Sequence, residues 1–281
     1  MSHSRHPVAL RLEQRVGGAT RLLATVMALP LVDGIFAAMV LAGVLDTVGG
    51  ILQVGLLVFG GSAAVAVILA EMEGTPRETV PSVAALGLGL IVLAGIEAAL
   101  APTLRGLIVL PTFERFAALV ILAIAAKTAS ARIGEYLPRP SVIVGLGLVA
   151  SVDLAGASFV VSVDPGLVLR GAAAAGVATV FAVSLAALAP TLRRVVDLDR
   201  FRFGSAVALG TLPLSILGLL PGNAPLAVFL VAGLLAFDPD GVRAGWESAE
   251  GPAAADGGLD GDPALAERQG GSSGESRAPW L

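Results

Sequence analysis

The chain has 281 residues, of which 56% are hydrophobic and only 14% charged, and its net charge is −4. Soluble domains carry roughly a quarter charged residues, so this composition excludes an ordinary soluble globule and indicates a polytopic membrane protein. The negative net charge argues against nucleic acid as a partner. The sequence contains no cysteine, which excludes disulfides, thiolate metal sites and cysteine nucleophiles.

Apolar segments of about the length needed to cross a bilayer core of roughly 30 Å recur along the chain. They cover residues 22–45, 49–70, 81–101, 114–131, 141–163, 169–189, 203–220 and 224–237. The sequence therefore predicts an all-α transmembrane helix bundle of about eight spans within residues 22–237. It is preceded by a basic leader, residues 1–21. Residues 238–281 form an acidic tail without apolar periodicity, which we expect to be disordered.

The distribution of basic residues predicts the orientation of these spans. Cytoplasmic connections of membrane proteins carry an excess of Lys and Arg. With the N-terminus inside, 15 of the 18 Lys and Arg residues fall in the leader, the inner connections and the tail. We therefore expect a multi-pass protein of the cell membrane with both termini in the cytoplasm and the lipid bilayer as its main partner.

Several short similarities indicate an internal duplication. Ala99–Arg105 and Ala187–Arg193 both read ALAPTLR. In the predicted topology these copies lie on opposite sides of the membrane, as an inverted repeat requires. Two further similarities pair Val32-Asp33 with Val152-Asp153, on helices of the same direction, and Pro81-Ser82-Val83 with Pro140-Ser141-Val142. The symmetry of the duplication stays open.

Two aspartates stand near the middle of predicted spans. An ionisable side chain at the bilayer centre costs at least ~2.5–3.5 kcal/mol on insertion scales and is a candidate for a functional site. Asp33 lies 12 residues after Arg21, and Asp153 lies 14 residues after Arg139. Because both spans run from inside to outside, we expect the two carboxylates to lie at similar depth.

Residues that loosen a helix surround both aspartates. Pro30 removes a backbone donor and Gly34 a side chain beside Asp33, while Ser151 and Gly156 flank Asp153. Carboxylates beside loosened backbone at mid-membrane are typical of the cation sites of transporters with broken helices. The alternative is a protonated carboxyl group that only joins two helices.

Other ionisable groups are secondary candidates. Glu97, near the outer end of the third span, lines an access route or reaches the interface, and Lys127 snorkels to the inner headgroups. Both histidines, His3 and His6, lie in the leader, so they offer no metal site inside the membrane. The candidate metal ligands are therefore Asp33 and Asp153, and no cofactor is expected.

The sequence contains no P-loop, no HExxH motif and no GxSxG elbow, so we expect no enzyme. The leading hypothesis is a secondary transporter that exports a cation, either a divalent metal or a proton-coupled solute, through a mid-membrane carboxylate site. Asp33, Asp153, Ser151 and Glu97 would form its ion or proton pathway. The alternative is a membrane scaffold or assembly factor that transports nothing and whose aspartates are structural.

The segment Ser151-Val152-Asp153, followed by Phe159–Pro165 and a Gly/Ala-rich helix, resembles the second half of TerC-like membrane proteins. Asp33 and the glycine-rich second span resemble the first half. The family belongs to a group of exporters that includes the lysine-exporter type. The resemblance implies two repeats around a shared acidic ion site, export of metal ions such as manganese, and tellurite resistance. In this chain Gly34 and Leu154 stand where the family usually has Asn and Ser. The whole chain also resembles integral membrane proteins of halophilic archaea.

Overall fold

A computed structural model describes residues 18–153 and 163–238. This part of the chain is all-helical and contains no sheet. Its α-helices are α1 (Gly18–Val32), α2 (Ile35–Leu41), α3 (Val48–Gln53), α4 (Ser62–Ala66), α5 (Pro76–Arg105), α6 (Leu110–Ala129), α7 (Ala131–Tyr136), α8 (Pro140–Ser151), α9 (Pro165–Val195), α10 (Leu198–Ile216) and α11 (Ala224–Leu235). Two π-helices, Val54–Phe59 and Val67–Glu71, continue α3 and α4. The predicted leader and tail lie almost entirely outside the described residues.

Each apolar segment contains helix, but that of segment 141–163 ends at Ser151 and residues 154–162 lie outside the described part, and the count of eight spans is not confirmed. Within residues 18–153 and 163–238, two helices are long and apolar enough to cross a membrane, α5 with 30 residues and α9 with 31. The count rises to four if α1–α2 and the broken helix Val48–Phe59 plus Ser62–Glu71 are each one span. Helices α8 and α11 have 12 residues each. At 1.5 Å per residue such a helix is about 18 Å long, shorter than the bilayer core.

Helices α5 and α9 form the antiparallel centre of the fold. Gly87 of α5 lies against Thr179 of α9, while Gly171, near the start of α9, lies against Ala94 and Ala98 of α5. A Cβ atom on Gly171 would lie 2.7 Å from the Cβ of Ala98. The two backbones therefore approach each other through small residues, as closely packed helices in lipid do.

Local sequence signals explain where the two central helices begin. Thr75 and Glu78 form a capping box ahead of α5, and Pro76 occupies the first turn, where its missing N–H costs nothing. At the start of α9, the Asp164 carboxylate accepts hydrogen bonds from the backbone N–H groups of Gly166 and Leu167.

Each central helix is accompanied by one helix that is broken near its middle. Broken helix 1 consists of α1 and α2, which meet at an angle of 41°, and runs parallel to α5. Broken helix 2 consists of Val48–Phe59 and Ser62–Glu71, bent by 51°, and runs parallel to α9. Because α5 and α9 are antiparallel, the two ALAPTLR copies that end them lie at opposite ends of this centre.

Candidate functional site

Broken helix 1 is interrupted beside Asp33. Pro30 lies inside α1 and offers no backbone N–H, and Gly34 adopts a left-handed conformation with φ of 74°. The Gly34 N–H donates to the carbonyl of Leu31 at 3.2 Å, a tighter turn than that of an α-helix. Pro30 and Gly34, predicted as helix-loosening residues, therefore lie at an observed helix break.

Two charged side chains of α5 hold the short helix α2 at its two ends. The backbone N–H of Ala37, in the first turn, donates a hydrogen bond to the Glu97 carboxylate. At the other end, the Arg105 guanidinium donates to the carbonyl of Val40 at 2.7 Å. An acid at the N-terminus and a base at the C-terminus both complement the helix dipole. This arrangement gives Glu97 a structural role that the sequence did not predict, and it fixes α2 to α5.

Broken helix 2 is interrupted at the pair Gly60-Gly61. The Gly60 N–H donates to the carbonyl of Gly55 at 2.9 Å, which closes the π-helical turn before the break. A side chain on Gly60 would collide with Phe181 of α9, so a glycine is needed for this close approach. Phe59, next to the break, contacts Phe36 of broken helix 1 with ring centroids 5.1 Å apart. The two interruptions are therefore neighbours in space.

The second ALAPTLR arginine holds the far end of broken helix 2. Arg193 donates to the carbonyls of Leu69 at 2.8 Å and Ile68 at 3.4 Å, and also to that of Met72. Arg105 and Arg193 thus perform the same task at opposite ends of the central pair. Each lies in the last turn of a long helix, and each donates to at least one backbone carbonyl near the C-terminal end of the adjacent broken helix.

A cavity of about 250 Å³ lies between the two breaks, with α6 and α10 completing its wall. Pro30 and Ile35 line it from the first break, and Phe59 and Ser62 from the second. Ser205 of α10 lies opposite. Most of the wall is apolar, and a few hydroxyl groups provide its polar surface. The cavity is where both interruptions of the helices converge.

Asp33 lies beside this cavity between two of its lining residues, Pro30 and Ile35. Its side chain is half-buried and interacts electrostatically with Lys127, near the end of α6. The sequence predicted that Lys127 reaches the inner headgroups, and it did not predict an interaction with Asp33. The structure brings these two opposite charges into the same region, next to Thr128, which also lines the cavity.

Asp153 and Ser151 do not line this cavity. Helix α8 ends at Ser151, and the Asp153 N–H donates to the carbonyl of Leu107 at 3.0 Å, in the connection after α5. Asp153 therefore lies outside the helix, beside the connection after α5, whereas Asp33 lies at the break between α1 and α2. Gly156 lies outside the described residues.

Ser151 is fully buried, and its hydroxyl donates to the carbonyl of Leu148 at 3.1 Å, within its own helix. Within residues 18–153 and 163–238, no group of three or more His, Cys, Asp or Glu residues is placed to hold a metal ion.

The sequence reasoning missed the second break and its serine. The signal was the Gly60-Gly61-Ser62 tripeptide in the middle of an otherwise apolar segment, where two consecutive glycines weaken a helix by about 2 kcal/mol relative to alanine. Ser205 had no distinguishing sequence context, because isolated serines are common in closely packed membrane helices.

Comparison with known proteins gives one family match. Residues 90–217 match DUF5794, a family of unknown function. The matched region runs from the middle of α5 to the end of α10 and contains Glu97, Arg105 and Arg193, but neither helix break nor Asp33. No curated protein and no solved structure matches the chain. The resemblance to TerC-like proteins stays a prediction.

Proposed function

We propose that this chain is an integral membrane secondary transporter that exports a solute in exchange for protons. The observation that carries this proposal is the pair of broken helices whose interruptions line one cavity. Secondary transporters commonly bind their substrates between discontinuous helices near the membrane midplane. In this proposal the apolar helices cross the cell membrane several times, with both termini in the cytoplasm, as the distribution of Lys and Arg indicates.

Asp33 is the proposed proton-carrying group. It lies at the break of helix 1, beside the cavity and within electrostatic range of Lys127. A carboxyl group in this position can exchange a proton and thereby alter its attraction to Lys127 and the balance of charge next to the break. Asp153 and Ser151, which lie near the connection after α5, would belong to the end of the pathway.

Of the two kinds of substrate, the cavity favours a proton-coupled solute over a divalent metal. Mg²⁺ and Mn²⁺ prefer six oxygen ligands, carboxylates among them. The cavity wall provides hydroxyl groups among mostly apolar side chains. A solute with an apolar body fits this surface better than a dehydrated metal ion.

The test is a flux measurement in proteoliposomes with an imposed pH gradient. Internal pyranine reports proton movement, internal calcein reports Mn²⁺ entry, and wild type is compared with Asp33→Asn and Asp153→Asn. We expect a gradient-dependent proton movement that falls more than tenfold in Asp33→Asn and much less in Asp153→Asn. If Mn²⁺ flux is observed and depends on Asp33, the transported substrate is a divalent metal rather than a neutral solute.

The same experiment separates transport from the scaffold alternative. Because an exchanger moves protons only when its solute is present, the comparison is made with and without benzyl alcohol in the liposomes. Proton and Mn²⁺ fluxes of wild type equal to those of empty liposomes under both conditions would favour a scaffold. Proton flux that is unchanged by Asp33→Asn would show that this carboxylate is structural and would remove it from the proposed mechanism.

A further inference from the structure

The wall of the cavity between the two broken helices is uncharged. Its apolar part includes Leu57 and Leu209, and its polar groups include the hydroxyls of Ser62, Thr128 and Ser205. Asp33 flanks the cavity but does not line it. The coupling proton and the bound solute would therefore occupy neighbouring but separate positions.

Two of the three hydroxyls have no protein partner. Thr128 donates to the carbonyl of Ile124 at 2.9 Å. Ser62 and Ser205 are 8% and 3% exposed, and neither side chain makes a hydrogen bond to any described residue. Buried polar side chains in folded proteins are hydrogen-bonded in the large majority of cases. Both hydroxyls face the cavity and are therefore available to hydrogen-bond a ligand that has a polar group of its own.

The dimensions and the electrostatics of the cavity limit that ligand. An apolar protein cavity of about 150 Å³ holds benzene, so about 250 Å³ accommodates on the order of ten non-hydrogen atoms. A charged group without a counter-ion is strongly disfavoured in such surroundings. We infer that the cavity binds a small uncharged molecule with an apolar body and one hydroxyl or carbonyl group, which hydrogen-bonds to Ser62 and Ser205. This inference rests on the proposed function, since that molecule would be the transported solute.

The absence of native cysteine makes a direct test possible. Ser62→Cys and Ser205→Cys each place a single thiol in the cavity of the full-length protein. Their reaction with uncharged methyl methanethiosulfonate is compared with that of its trimethylammonium-ethyl analogue. Glu73→Cys, in an exposed connection, is the reactive control, and Ala186→Cys, buried on α9 away from the cavity, is the unreactive one.

We expect both cavity thiols to react with the uncharged reagent and to react roughly 100-fold more slowly with the charged one, relative to Glu73→Cys, because the charge must enter an uncharged site. Benzyl alcohol should slow the reaction of both thiols at concentrations at which benzylammonium has no effect. The rates for Glu73→Cys should stay unchanged.

Equal reaction with both reagents, no reaction at either cavity thiol, or no protection by benzyl alcohol would each overturn the inference. The same result at both cavity positions shows that it does not arise from a structural change caused by one of the two substitutions. Because labelling needs no pH gradient and no flux, the ligand class can be confirmed even if transport fails, and refuted even if protons move.

Discussion

Arg105 and Arg193 occupy the same place in two copies of one heptapeptide, yet their alanine variants should differ in stability. Hydrogen bonds from a charged donor contribute about 1.5–3 kcal/mol each. Arg193 donates to the carbonyls of Leu69 and Met72 and, at 3.4 Å, to that of Ile68. The residue is partly accessible to solvent, which reduces their contribution. We expect Arg193→Ala to lower the free energy of unfolding by about 2–4 kcal/mol.

Arg105 makes one bond to Val40, and its Nε atom is buried without a hydrogen-bond partner among the described residues. An unpartnered buried donor costs about 1–3 kcal/mol, a cost that the alanine variant removes. Loss of the bond and removal of the unpartnered atom nearly cancel. We therefore expect Arg105→Ala to change the stability by no more than about 1 kcal/mol.

Thermal unfolding of the purified protein in detergent measures this difference. A gap of about 2 kcal/mol corresponds to roughly 4–8 °C in Tm for a domain of this size. Arg194→Ala is the matched control, because Arg194 follows Arg193 directly and makes no hydrogen bond to a described residue. If Arg105→Ala lowers Tm as much as Arg193→Ala, the two arginines contribute equally to stability and this prediction is wrong.

Three further pairs of substitutions, each a test variant and its control, probe the central helices and the first break, with Tm as the measurement. Gly34→Ala should cost about 1–2 kcal/mol because of the left-handed backbone, whereas Gly145→Ala, in open space on a helix, should be neutral or stabilising. Glu97→Ala should lower the free energy of unfolding by about 1–2 kcal/mol, because it leaves an N–H of α2 unpaired. Glu97→Gln keeps an acceptor oxygen and should lower it much less. Equal losses in the two variants would contradict the hydrogen bond. Gly171→Val should cost about 2–3 kcal/mol through overpacking between α5 and α9, while Gly176→Ala, which meets no neighbour within 4 Å, should be tolerated.

The sequence predicts an uninterrupted helix through Asp153, and the structure differs on this one point. The predicted depth of Asp153 followed from 14 residues of uninterrupted helix after Arg139. Helix α8 ends at Ser151, and backbone hydrogen bonds to the connection after α5 replace the next helical turn. Apolar composition does not distinguish a helix from an extended segment that another part of the chain can pair with.

The sequence by itself determined the helical class, the positions of the apolar helices and the first break, because these depend on local properties. Periods of apolar residues, proline and glycine act on the backbone within a few residues. Tertiary structure decided which helices accompany each other, since this depends on the close approach of small residues such as Gly87 and Gly171. It also placed Glu97 and Arg105 at the ends of α2 and made both breaks face one cavity. Those relations join residues far apart in the chain, and no local pattern encodes them.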